Sequence, residues 1–145
     1  MLPKPPSLNL STAEVNLDDE LLYAPLPTAI VRIKDLVLMN ANALFADKNH
    51  KDLGDMLGRP IDSLVTQEVI ERYLADLLRN GFLSEYSLRA YFFAQREQGG
   101  TIYTVRDEYE IIVNSKRVNY GGADCYIFQI LDQELIREGS PPNLY

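Results

Sequence analysis

The stretch Ala29-Ile-Val-Arg-Ile-Lys-Asp-Leu-Val-Leu-Met-Asn40-Ala-Asn-Ala-Leu-Phe45 decides the fold of this chain. Residues 29–33 and 36–40 are β-branched or aliphatic runs parted only by Lys34 and Asp35, the pattern of two strands in a hairpin. Ala41-Asn-Ala-Leu-Phe-Ala46 then favours a short helix, with Asn40 at the strand end placed to cap it. A sheet that opens with a hairpin and turns straight to helix must draw its other strands from further along the chain.

Those strands are legible. Asp47 to Asp52 is a polar break before a further turn of helix at 53–57, and Gly58 supplies the positive φ that a tight turn before Pro60 needs. Thr66 caps a longer helix with Gln67 and Glu68 in its first turn. Val69, Ile70, Tyr73, Leu74, Leu77 and Leu78 form its apolar face, and Asn80-Gly81 is its stop. Tyr86, Leu88, Ala90 and Phe92 then alternate along a strand from about 84 to 94. Gly99-Gly100 and Gly121-Gly122 turn into strands over 101–118 and 123–131, with a bulge expected at Asp107 to Glu110. Two strands before a helical insert and three after it predict an α+β fold, a five-stranded antiparallel sheet with helices on one face.

Towards the N-terminus, residues 1–11 are Pro-rich and read as a flexible or extended arm. Ser11-Thr-Ala-Glu14 has capping-box spacing, so a short acidic amphipathic helix is expected over 12–22, ended by Pro25 and Pro27. The organisation expected is an arm and cap helix (1–24), one domain (25–134) and a C-terminal tail (135–145).

Composition narrows the function classes. No stretch approaches the roughly 20 apolar residues of a membrane span, and three prolines in the first six residues break any secretory h-region. One cysteine, Cys125, precludes an internal disulfide and suggests a reducing, cytoplasmic setting. A net charge of −7 disfavours direct binding to nucleic acid or anionic membrane.

Over about Pro27 to Asp132 the chain resembles the PAS sensory domains. Leu36 to Phe45 resembles that family's second strand with its terminal Asn and following short helix, and Met56-Leu-Gly58-Arg59-Pro60-Ile61 its Gly-Arg-Pro turn. Phe82 and Ser84 to Arg89 resemble the third strand after the long helix, and Tyr126-Ile-Phe-Gln-Ile-Leu-Asp132 the closing strand. The resemblance implies a non-catalytic signalling module that binds a small ligand or a partner protein. Scaffolding in turns and caps accounts for Asn40, Gly58, Pro60 and Asp132 without a ligand.

The cofactors that the resemblance brings with it are tested residue by residue. Flavin photosensors of the family carry a cysteine on the helical segment before the long helix, and none lies between Ala41 and Thr66. Gln129 stands where those proteins place a flavin-contacting glutamine, and is read as a strand residue facing solvent. A haem sensor needs an axial histidine, usually on the long helix, and Thr66 to Asn80 has none. His50, the chain's one histidine, sits in the charged 47–52 loop. A covalent flavin photocycle and haem are therefore disfavoured, and the cofactor stays unknown.

Other chemistry finds no constellation. Cys125 lacks a second thiol or a nearby histidine, and neither Gly-Gly turn leads into a helix that could cradle phosphate. Asp107, Glu108 and Glu110 form a carboxylate cluster, read as an exposed strand edge or bulge. No catalytic or metal-binding residue is assigned.

Met39, Asn40, Phe45, Leu57, Ile61, Ile70, Leu74, Leu88, Tyr103, Tyr126 and Phe128 are expected to line the space between sheet and helices, with Ile30, Val37, Leu64 and Leu77 in the same core. Whether they close as a packed core or open as a pocket for a small organic ligand is left open, since periodicity does not reveal a void. Val15, Leu17, Leu21 and Leu22 give the first helix an apolar face, for which a homodimer interface is expected. The leading expectation is a signalling module that regulates a signalling or regulatory partner protein. The alternatives are a cone-fold enzyme of the ketosteroid-isomerase type and a purely structural dimerisation domain.

Overall fold

The computed structural model describes residues 16–61 and 64–141. Helix α1 (Leu17–Tyr23) precedes the hairpin of β1 (Thr28–Arg32) and β2 (Leu38–Ala41). Helices α2 (Ala43–Lys48), α3 (Leu53–Met56) and α4 (Gln67–Asn80) follow, and then the long strands β3 (Phe82–Gln98), β4 (Thr101–Tyr120) and β5 (Ala123–Arg137). The strands form one antiparallel sheet in the order β2-β1-β5-β4-β3. The helical insert thus carries the chain from one edge of the sheet to the other, as the α+β expectation requires.

Both faces of the sheet are covered, by different elements. The inner face meets α2, α3 and α4 in a core that includes Val31, Phe45, Ile70, Tyr73, Leu77, Leu88, Val113 and Tyr126. On the outer face α1 lays Leu17 and Leu21 against Ile30, Val118, Cys125 and Ile127. The double cover explains why Ala29-Ile-Val31 is continuously apolar: all three are fully buried, Ala29 and Val31 inward and Ile30 outward. Each large aliphatic side chain so buried contributes about 1.5–3 kcal/mol.

Helix ends follow their local chemistry. Thr66 Oγ1 accepts from Val69 N at 3.3 Å at the start of α4, and Gly81 ends it with φ +80°, as the Asn80-Gly81 stop predicts. Gly58 takes φ +77° in the expected turn, where Gly58 N donates to Leu38 O at 2.9 Å and Val37 bridges Pro60. The cap of α2 is Asn42 and not Asn40. Asn42 Oδ1 accepts from Phe45 N at 3.0 Å and from Thr28 N at 3.1 Å, so it also ties α2 to β1.

Four other expectations are corrected. The first helix has Asn16 as its N-cap and begins at Leu17; the Ser11 to Glu14 box and Val15 lie outside the described residues. β5 runs past residue 134, with Leu135 and Arg137 still paired to Tyr109 and Glu108. Ile30 packs on the outer face and not between sheet and helices. The 107–110 carboxylates are not at a strand edge, because β4 lies between β5 and β3. Asp107 and Glu108 are buried there, Asp107 accepting from Arg96 Nη2 at 2.7 Å and Glu108 from Arg89 Nη1 at 2.9 Å. The expected bulge is present: the β4–β5 register shifts between Glu108 and Tyr109.

Candidate functional site

Between the inner face of the sheet and helices α2 and α4 lies a cavity of about 40 Å³. Of the residues expected to line that space, Phe45, Ile61, Ile70, Leu88, Tyr126 and Phe128 do so. Leu64, expected in the same core, also lines it, and Val65, Tyr73, Ala90, Phe92, Ile111 and Val113 complete the wall. The signal for several of these was in the sequence: Ala90 and Phe92 continue the alternation of β3, Ile111 and Val113 share a face of β4, and Tyr73 is one turn after Ile70.

Five expected residues are elsewhere. Met39 falls in the register shift of the β1–β2 ladder, where Ile30 pairs with Asn40 and Val31 with Leu38, and it packs on the outer cluster with α1. The Asn40 amide also serves the outer side, donating to Asp18 Oδ1 at 2.9 Å and Tyr120 Oη at 3.1 Å. Leu57 follows α3 in an exposed position, and Leu74 packs on the inner core without reaching the cavity. Tyr103 sits opposite Arg96 towards the far end of the β3–β4 hairpin.

The cavity wall is apolar apart from tyrosine hydroxyls. Tyr73 hydrogen-bonds Ser115 across the core, and Ser115 Oγ donates to Ile127 O at 3.1 Å. Since the serine hydroxyl has one proton, Tyr73 is the donor in the first bond. The Tyr73 ring meets Tyr126 edge-on at 5.3 Å and Tyr86 at 5.7 Å, and Phe45 meets Phe128 at 5.6 Å. Burial holds the Tyr73 and Tyr126 phenols well above the ordinary tyrosine range, so both stay neutral donors. A volume of this size admits roughly three water-sized atoms; a polycyclic cofactor takes several hundred cubic ångströms.

At one end of the helical layer Lys48 Nζ stands 4.5 Å from the Phe92 ring centre and 4.9 Å from that of Tyr109. Burial lowers its ammonium to about 8. His50 is exposed in the loop after α2, and Cys125 is fully buried beneath α1, where burial raises its thiol. Gln129 faces the outer side of the sheet, away from the cavity. Among the described residues, no cluster of His, Cys, Asp and Glu could hold a metal ion, and no helix is long and apolar enough to cross a membrane.

No family model and no curated protein matches the sequence. Solved structures do match. A PAS domain in complex with ethanol, from a LuxR-family transcriptional regulator of Burkholderia thailandensis, is 17% identical with a TM-score of 0.51, over 80% of this chain and 97% of that one. The PAS domain of a Colwellia psychrerythraea protein is 8% identical with a TM-score of 0.51, over 83% and 94% of the two chains. A LOV protein of Rhodobacter sphaeroides is 12% identical with a TM-score of 0.51, over 79% and 63%. This chain has the PAS fold, as its strand order and helical insert indicate.

Proposed function

We propose that the chain is a non-catalytic PAS-type signalling module whose inner cavity receives a small apolar molecule and which regulates a partner protein. The observation that carries this reading is the cavity itself, a void of about 40 Å³ at the junction of α4, β3, β4 and β5. Packed interiors seldom leave a space larger than one water, and here the walls offer little to hold water. An apolar guest of a few heavy atoms, or the apolar end of a larger one, matches such a wall. The titratable groups of the described wall are the Tyr73 and Tyr126 phenols, which burial keeps neutral, so the wall favours holding an apolar guest over acid–base chemistry.

A homodimer belongs to the same proposal. Leu17 and Leu21 are turned onto the chain's own sheet, so the contact between copies falls to Leu22, which is 69% exposed.

The test is xenon, an apolar probe of one atom, followed through the methyl resonances of Ile70, Leu88 and Ile111. Saturable shifts confined to the cavity wall are expected in the native protein and should vanish in Ala90→Val, which fills the space. Shifts that rise linearly with pressure, or that persist unchanged in Ala90→Val, would overturn the cavity as a binding site.

A further inference from the structure

Tyr126 stands in the wall of the inner cavity, and only 2% of the residue is exposed. Its hydroxyl makes no hydrogen bond among the described residues, while that of Tyr73, whose ring it meets edge-on, gives its proton to Ser115. The Tyr126 oxygen is not sealed in. Among the described residues, the buried side-chain atoms that lack both a partner and accessible surface are Glu20 Oε1 and Asn49 Oδ1, neither of them in the cavity wall. Space therefore lies in front of the Tyr126 hydroxyl, and for a residue enclosed between sheet and helices that space is the cavity.

An unused phenol proton in an apolar enclosure has lost its bonds to water and gained none in return, a deficit that a guest's acceptor makes good. Water itself fits poorly. A buried water makes about three hydrogen bonds, and the side chains of the described wall hold one uncommitted proton, that of Tyr126. An apolar body with a single acceptor satisfies both parts of the wall, and the volume sets its size at about three heavy atoms.

We propose, on the reading of this cavity as a ligand site, that its guest carries one hydrogen-bond acceptor, as a short ether, ketone or aldehyde does, and that Tyr126 Oη donates to it while Leu88, Ile111 and Val113 enclose the apolar remainder. Tyr126 is then the specificity-determining residue of the cavity, because its proton offsets the cost of taking the guest's oxygen out of water.

The probe is dimethyl ether, with propane as the control that keeps the shape and lacks the acceptor. Both should shift the methyl resonances of Leu88, Ile111 and Val113 saturably in the native protein. Tyr126→Phe should weaken the ether about tenfold, the effect of one hydrogen bond to a buried partner, and leave propane unchanged. The variant gives up no bond within the protein, so its urea midpoint should equal or exceed the native one. A lowered midpoint would show that the hydroxyl already has a partner, and would overturn the proposal. Equal effects of Tyr126→Phe on the two gases, or native binding of propane without the ether, would overturn it too, while leaving the cavity as a site for apolar guests. Saturable shifts with neither gas nor xenon would remove the cavity reading along with it.

Discussion

Tyr73 shows how much one side chain can fix. It faces the cavity with its ring, crosses the core with its hydroxyl to Ser115, and through Ser115 reaches the Ile127 carbonyl of β5. Tyr73→Phe removes that donor and leaves the ring in place. Ser115 keeps its own acceptor, so the loss should be about 1 kcal/mol, read as a lower urea midpoint at unchanged slope. An unchanged midpoint would show that the bond adds nothing to stability. The sequence marked Tyr73 only as one member of an apolar helical face. Its hydroxyl partner lies 42 residues away on a strand whose register no local pattern fixes. Asn40 and Asn42 make the same point: both can cap a helix, and the tertiary position of Asp18 and Tyr120 recruits Asn40 to the outer face.

At the scale of elements, α1 carries both a buried and an exposed apolar row. Leu17 and Leu21, four residues apart, point to the sheet, and Asp18 Oδ1 fastens the helix by accepting from Asn40 Nδ2 and, at 2.6 Å, from Tyr120 Oη. A helix of 7 residues has little intrinsic stability, so these tertiary contacts hold it in place. Leu22 takes no part in that docking, and its replacement should leave the fold intact. Leu22→Lys is expected to halve the mass found by light scattering, with unchanged backbone amide shifts in β1 and β5. A mass that stays that of a dimer would remove α1 from the interface. A native protein that is already a monomer would remove the homodimer itself.

For the whole molecule, the buried titratable groups set an alkaline stability profile. Lys48 titrates near 8 in the fold against 10.5 for an unperturbed lysine, so between those values the unfolded chain holds a proton that the folded chain has lost. Stability therefore rises with pH across that window, and Lys116, lowered by burial, acts in the same direction. The buried Cys125 thiol opposes it from about pH 9, and Tyr73 and Tyr126 above pH 10, because these groups ionise on unfolding and stay protonated in the core. Urea midpoints should climb from pH 8 towards about 9, level off, and fall beyond about 10.5. Lys48→Met should remove the climb, and a Lys48→Met midpoint with the same pH dependence as the native one would contradict the lowered Lys48 ammonium. Caps, turns and periodicity act within a few residues, so the order of elements, the α4 boundaries and the two Gly-Gly hairpins were legible in the chain. Long-range packing settled which face each strand residue meets, where the bulge in β2 sends Met39, and that Arg96 and Arg89 pair with the buried 107–108 carboxylates. It also decided that a void remains in the core, because a cavity is the residue of imperfect packing among thirteen side chains drawn from six stretches of chain, which no local pattern encodes.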